Sequence, residues 1–336
     1  MKKPPLLFIT FMMISACGSA DNFLEDMTEW VAVDSIIVNP ANPSDSTNSY
    51  PSDSIIVIND STAVPKDSTS GNNDSIPSDS LHVKDKPEIA YSKLFQAKSI
   101  SRNYTQGIAI YDKYLFNCHH SNDVIDVYDL ETQKIITYIQ LEPDAIIHCN
   151  NVNFGAEFYS PKDKFPLLYI QQRGYACKLN VYRIICDGDS IVTIEKLQTI
   201  SFESCNSCIN TIDIKNNLLY SIYTKNDINY ISSFRMPSVK EGDVCINPKF
   251  AYKTYYCPFK KVRQDTAFGN NCLNILCGNK NEGELWQIDI TNKTAKVIDL
   301  TKYGMNAEPE GIDIYKGDLI VSFLNAPFYK IRILDY

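Results

Sequence analysis

The chain has 336 residues, a formal net charge of −8 and a pI near 5.1. That balance offers no basic face to nucleic acid or anionic lipid, so neither is an expected partner. With 44% hydrophobic residues, 21 Tyr and 15 Phe among the whole, a sizeable core is affordable, and no run beyond the N-terminus is long enough to cross a bilayer.

The first element is Met1-Lys2-Lys3, an apolar run from Leu6 to Ile14, and Ser15-Ala16-Cys17. A basic start, a short apolar core and small residues describe a secretory signal. Ile14-Ser15-Ala16-Cys17 resembles a bacterial lipobox. The resemblance implies a lipoprotein signal over residues 1–17, with Cys17 as the lipid-bearing first residue of the mature chain. Asp21, Glu25 and Asp26 resemble the acidic surface-export signal of Bacteroidota lipoproteins. They imply an outer membrane lipoprotein at the cell surface, or otherwise facing the periplasm, that meets the membrane through its N-terminal lipid only.

Residues 18–90 are rich in Ser, Asp, Asn, Pro and Thr, with short apolar islands at Ile36-Ile37-Val38 and Ile55-Ile56-Val57-Ile58. Such a stretch buries too little apolar area to offset the entropy of ordering, and it reads as a disordered tether. Asp-Ser followed by Ile, Thr or Leu recurs seven times along it. The pattern resembles the Bacteroidota O-glycosylation acceptor, which implies modified Ser35, Ser46, Ser54, Ser61, Ser68, Ser75 and Ser80. The same triplet occurs at Asp265-Thr266-Ala267 and Asp189-Ser190-Ile191, within the folded part.

From residue 91 to 336 the pattern is strands and turns. Glu310-Gly311-Ile312-Asp313-Ile314-Tyr315 aligns with Gln106-Gly107-Ile108-Ala109-Ile110-Tyr111, and Asn210-Thr211-Ile212-Asp213-Ile214 is a further copy. Each copy is a period-2 apolar run, a polar turn and a second run, the signature of a hairpin. A third strand, a polar turn and a fourth follow at Val124 to Ile139 and again at Leu285 to Ile298. Four antiparallel strands per repeat make a propeller blade. Units starting near residues 107, 152, 211, 266 and 311 predict an all-β, five-bladed propeller; the poorly phased residues 236–262 leave room for a sixth. The last unit ends after three strands, and the run Lys93 to Ile100 is expected to return as its missing outer strand, closing the ring.

Of the eleven cysteines, ten follow Cys17. Cys118, Cys272 and Cys277 sit in or beside apolar runs and read as core residues. Cys205-Asn206-Ser207-Cys208 stays open between a local disulfide, two unlinked thiols and half a zinc site; no second such pair or His pair completes a finger.

In a propeller the loop entering each innermost strand and the loop leaving the second strand open on one face. Gln106, Asn210, Gln264 and Glu310 hold equivalent positions just before innermost strands. His148, Asn150 and Asn151 precede that of the second unit, while His119 and His120 follow the first unit's second strand. Arg263 and Gln171-Gln172-Arg173 share this rim, so three of the four histidines are expected on one face. There His can hold a metal or move protons, Glu310 can act as ligand or base, and the amides can bind a polar substrate. The same residues can equally satisfy strand ends around a wet channel. No cofactor is read from the sequence; a divalent metal, Ca or Zn, is the one candidate.

Tyr104-Thr105-Gln106-Gly107 resembles the opening blade of glutamine cyclotransferase-type propellers. Glu308-Pro309-Glu310-Gly311 is similar to openings in that group and in the lactonase-like, calcium-binding propellers. The chain as a whole resembles the propeller lipoproteins of Bacteroidota. The expected role is a binding or scaffold module for a polar small molecule, glycan or protein. The alternative is a cyclotransferase- or lactonase-type enzyme using Glu310 and the rim histidines.

Overall fold

Alternating apolar residues, a tight turn and a second alternating run leave each repeat one way to pair, and five antiparallel sheets result. The computed structural model describes residues 55–56, 82–83, 88–96, 105–120, 124–141, 149–172, 177–205, 207–225, 228–257 and 260–334. These belong to the unit Ser52–Tyr336; the unit Met1–Pro51 lies outside the described residues.

From inner to outer strand, blade 1 is Thr105–Tyr111, Tyr114–His119, Val124–Asp129 and Lys134–Gln140. Blade 2 is Cys149–Phe154, Leu168–Gln172, Lys178–Asp187 and Ser190–Phe202. Blade 3 is Ser207–Asp213, Leu218–Lys225, Ile228–Arg235 and Lys253–Cys257. Blade 4 is Arg263–Gly269, Cys272–Cys277, Glu284–Asp289 and Thr294–Asp299, and blade 5 begins Pro309–Tyr315, Asp318–Phe323 and Pro327–Ile333. Neighbouring innermost strands pack together around the ring, and blade 5 meets blade 1. The molecule is a five-bladed β-propeller, as the repeat predicts. No sixth blade forms from residues 236–262: Val244–Ile246 adds parallel to the outer edge of blade 2, and Lys253–Cys257 completes blade 3.

The turns follow from local chemistry. Asn270 and Asn271, both at positive φ, make the two-residue turn between Gly269 and Cys272, where amide side chains tolerate the left-handed conformation. At the turn between third and fourth strands, Asp129 accepts from the backbone N–H groups of Glu131 and Thr132 (2.9 and 2.8 Å). Asp289 does the same for Thr291 and Asn292 (2.9 Å each), so both copies of the predicted device share one Asx-turn.

Aromatic side chains fill the seams. Tyr111, Phe116, Phe154 and Phe165 pack between blades 1 and 2. Tyr220 stacks on Phe268 between blades 3 and 4, with ring centroids 5.2 Å apart and planes 6° from parallel. Ring closure comes from the N-terminal side: Ile89–Gln96 pairs antiparallel with Pro327–Ile333 and becomes the fourth strand of blade 5. The strand lies upstream of the predicted Lys93 to Ile100, because burying Ile89 while setting Phe95 against Tyr128 and Phe328 fixes the register. Residues 97–100 are outside the described residues.

Most of the predicted tether, with Cys17 and the seven acceptor serines, also lies outside them. Three pieces are described: Ile55–Ile56 pairs parallel with the fourth strand of blade 3, His82–Val83 with that of blade 4, and residues 88–90 lead into the closing strand, whose first residues, Ile89 and Ala90, fall within the predicted tether. In the folded part, Thr266 of the Asp265-Thr266-Ala267 triplet is fully buried, whereas Ser190 is exposed on a hairpin turn. Among the described residues no helix is long and apolar enough to cross a membrane.

If the closing strand ties the ring, a chain beginning at Glu88 will melt cooperatively and one beginning at Thr105 will not, or will melt at least about 10 °C lower, since each lost kcal/mol is worth about 2–4 °C at this size. Circular dichroism melts of the two chains distinguish these outcomes; equal melting curves would contradict the closure.

Candidate functional site

An innermost strand has one edge without a strand partner, and five such edges meet at the ring's centre. Their N–H groups need acceptors. Asp265, fully buried on blade 4, supplies them: its carboxylate accepts from Ile312 N at 2.9 Å, Ile108 N at 3.4 Å, Thr266 N at 2.8 Å and Asn151 Nδ2 at 2.5 Å. Asn151 Oδ1 in turn accepts from Asn210 N (3.0 Å), and Asn153 donates to Asn210 O (2.8 Å) and accepts from Thr211 Oγ1 (2.9 Å). Five blades are thereby joined through short polar side chains. Burial pushes the Asp265 carboxyl well up, against the pull of its four donors.

The strands approach so closely that side chains do not fit between some of them. A Cβ on Gly107 would lie 2.9 Å from the Asn150 carbonyl, and one on Gly311 would lie 2.6 Å from the Gln106 carbonyl oxygen. The glycines of Gln106-Gly107 and Glu310-Gly311 are therefore demanded by backbone contact. Asp313 extends the scheme between blades 5 and 1, accepting from Ile110 N (2.5 Å) and Ile314 N (2.7 Å). The residue is half-buried, yet its carboxylate is surrounded by protein. Burial pushes its pKa up to about 7, against both backbone donors.

On the face where the innermost strands begin, a pocket of about 390 Å³ lies over blades 2, 3 and 4. Asn150 and Gln171 line it from blade 2, and Ser207, Cys208, Thr224 and Asn229 from blade 3. Lys260 and Lys261 line it from the segment leading into blade 4, and Arg263 lines it as the first residue of that blade. No Asp or Glu is among the lining residues. Arg263 reaches across the seam to blade 3, donating to Asn229 Oδ1 (2.5 Å), Thr224 Oγ1 (3.0 Å) and Ser207 Oγ (3.4 Å). Those contacts hold the planar guanidinium at the wall. Lys261 pairs with Glu284 (2.7 Å) and donates to Glu282 O (2.9 Å), so its charge is partly answered, while Lys260 is exposed.

The predicted site residues divide accordingly. Asn150, Gln171 and Arg263 come together in the pocket. Asn210 lies just beneath, its amide hydrogen-bonded to Gln171. Gln106, Gln264 and Glu310 are buried at their innermost strands, with Gln264 Nε2 donating to Gly278 O (3.0 Å) and Glu308 (3.1 Å). The amide oxygens of Gln106, Asn150 and Asn210 find no protein partner. His119 is not in the pocket lining; it is buried in blade 1, Nε2 2.8 Å from Asp126, with Nδ1 unpartnered. His120 beside it is exposed, and His148 and Arg173 are outside the described residues. Thr224, Asn229, Lys260 and Lys261 escaped the sequence reading, because the repeat nominates only residues before the first strand and after the second, and the lead-in to blade 4 has no repeat signal.

Among the described residues no three His, Cys, Asp or Glu side chains are placed to hold a metal. Zinc has no site at His119, because no third ligating side chain joins His119 and Asp126 among the described residues. The donor set fits calcium poorly: of the four equivalent positions before innermost strands, Glu310 alone is a carboxylate and the other three are neutral amides, where calcium needs six to eight oxygens.

No family model matches the chain, and no curated protein does. Solved structures of similar arrangement include a glutaminyl cyclase of Myxococcus xanthus, at 13% identity and TM-score 0.48, covering 75% of this chain and 100% of that one. They also include a PQQ-bound aldose sugar dehydrogenase of Streptomyces coelicolor, at 9% identity and TM-score 0.46, covering 74% and 100%. A virginiamycin B lyase of Staphylococcus aureus follows at 14% identity and TM-score 0.42, again covering 74% and 100%. Likeness at this level assigns no chemistry.

Two outcomes test the central scheme. Asp265→Ala would strand buried donors of Ile108, Ile312 and Asn151, at about 1–3 kcal/mol for each unsatisfied group. Urea unfolding should register a loss of about 3 kcal/mol or more, and a loss under about 0.5 would contradict the assignment. For Asp313, the folded state keeps a proton up to about pH 7 that the unfolded chain releases near the ordinary carboxyl value of 3.8. The unfolded state thus binds fewer protons in that window, and this group's contribution makes stability fall as pH rises through it. Between about pH 5 and about pH 8 the wild type should lose more stability than Asp313→Asn; parallel melting profiles would contradict this.

Proposed function

We propose that this propeller is a binding module, lipid-anchored and exported, whose rim pocket takes a polar, negatively charged small molecule such as an acidic sugar or a small organic acid. The pocket carries the reading: three cations and no carboxylate among its lining residues, on a chain of net charge −8. In an acidic protein such a spot focuses potential on an anion. Its volume lies within the roughly 300–1,000 Å³ range of small-molecule sites. Arg263, which donates to neutral oxygens of blade 3, places a guanidinium charge at the pocket wall. Asn150 and Gln171 add neutral amides to the lining, suited to a polar ligand. The N-terminal lipid and glycosylated stalk expected from the sequence would tether the propeller to a membrane.

The enzyme alternative draws on one observation, the buried His119–Asp126 pair with its unpartnered Nδ1. A carboxylate orienting a histidine is a general-base arrangement. Here both side chains are buried and His119 is outside the pocket lining, so binding is the better supported reading.

Thermal shift with glucuronate, glucose and citrate as probes tests the proposal. An anion at about 100 times its Kd should add about 2.7 kcal/mol of stability. Glucuronate or citrate should raise the melting temperature by several degrees, glucose should not, and Arg263→Ala should abolish the response while retaining the far-UV spectrum. An equal response to glucose, or an undiminished one in the variant, would overturn the anionic assignment.

A further inference from the structure

The described cysteines, all thiols here, are not scattered evenly through the core. Five form two groups along the joints between consecutive blades. Cys118, in the second strand of blade 1, and Cys149, the first residue of the innermost strand of blade 2, share one apolar cluster, where burial and the neighbouring Cys118 push the Cys149 thiol up. Cys177 precedes the third strand of blade 2, Cys205 lies on the connection out of that blade, and Cys208 is in the innermost strand of blade 3; these three share a second cluster. Cys177 is the common member, its thiol close enough to feel both others within that cluster. Phe202 N donates to Cys177 O (3.1 Å), which fixes the connection beside it.

The two neighbours of Cys177 differ in their other contacts. The Cys208 thiol donates to Gln171 Oε1 (3.7 Å) and accepts from Asn210 Nδ2 (3.6 Å), so it belongs to the polar floor of the pocket. The Cys205 thiol reaches Glu203 O (3.6 Å). We propose that Cys118 pairs with Cys149 and Cys177 with Cys205 as two disulfides, one joining blade 1 to blade 2 and one pinning the connection from blade 2 to blade 3, with Cys208 kept as a thiol. In each, two thiols lose two protons and two electrons and form one S–S bond. The electrons pass to the disulfide of a thiol–disulfide exchange partner, which leaves as a dithiol.

Burial fixes when this happens. Contact with Cys177 and burial both push the Cys205 thiol up, and burial pushes Cys149 up, so in the folded ring few thiolates are available to attack. Oxidation belongs to folding, and the bonds, once enclosed, resist exchange. Each closes a loop of about thirty residues, long enough for a cross-link to restrict the unfolded chain appreciably.

The full chain, produced in an oxidising compartment, is denatured with N-ethylmaleimide present, digested without reductant and mapped by mass spectrometry. The expected map has Cys118 joined to Cys149, Cys177 joined to Cys205, and Cys208 alkylated. Five alkylated cysteines, a Cys205–Cys208 bond, or any other pairing of the five overturns the proposal. A second readout is stability: reduction should lower the melting temperature by about 5 °C or more, and Cys118→Ser with Cys177→Ser should be insensitive to reductant. A wild type whose melting is also insensitive to reductant counts against the bonds.

Discussion

The buried Asp265 carboxylate is the constraint on which the ring depends. Every propeller must end its sheets somewhere near the axis, and the inner edge of each sheet carries N–H groups that water cannot serve once the strands close up. In this molecule the blades approach until Gly107 and Gly311 touch neighbouring backbone, which leaves little room for solvent. Asp265 answers four donors from four blades, and Asn151 and Asn153 pass the service on to blade 3. The cost is a carboxyl held without a formal counter-charge, which its raised pKa records.

The blades were legible because their signal is local. Period-2 apolar runs, Asn or Asp at left-handed turns and the Asp129 and Asp289 turns are each read within a dozen residues. Blade 3's fourth strand was not, because Pro237, Pro248 and two 3₁₀ turns, Val239–Glu241 and Pro248–Phe250, interrupt the chain before Lys253–Cys257. The closing strand was recognisable as an orphan run, but its register depends on Phe95 meeting Phe328, a contact more than two hundred residues away in sequence.

The centre of the molecule was the least legible part. Asp265 read as the start of a glycosylation triplet, and only closure of the ring reveals it as the acceptor for strands far away in sequence. Gln106-Gly107 and Glu310-Gly311 suggested an enzyme's opening motif, yet their glycines answer to backbone contact. Asn150, Gln171 and Arg263 line one pocket because the repeat fixes which loops share a face. Their grouping without His119 comes from blade positions that no periodicity encodes. The pocket sits over residues of three blades, a placement in keeping with the anion site proposed above.

The most direct measurement of this account is an arginine-selective ¹H–¹⁵N spectrum of the side-chain Nε–Hε resonances, with Arg263 assigned by substitution, recorded as glucuronate is added. The account predicts a saturable shift confined to Arg263 and its pocket neighbours, absent with glucose. An Arg263 signal that stays fixed while other arginines move, or that moves equally with the neutral sugar, would contradict it.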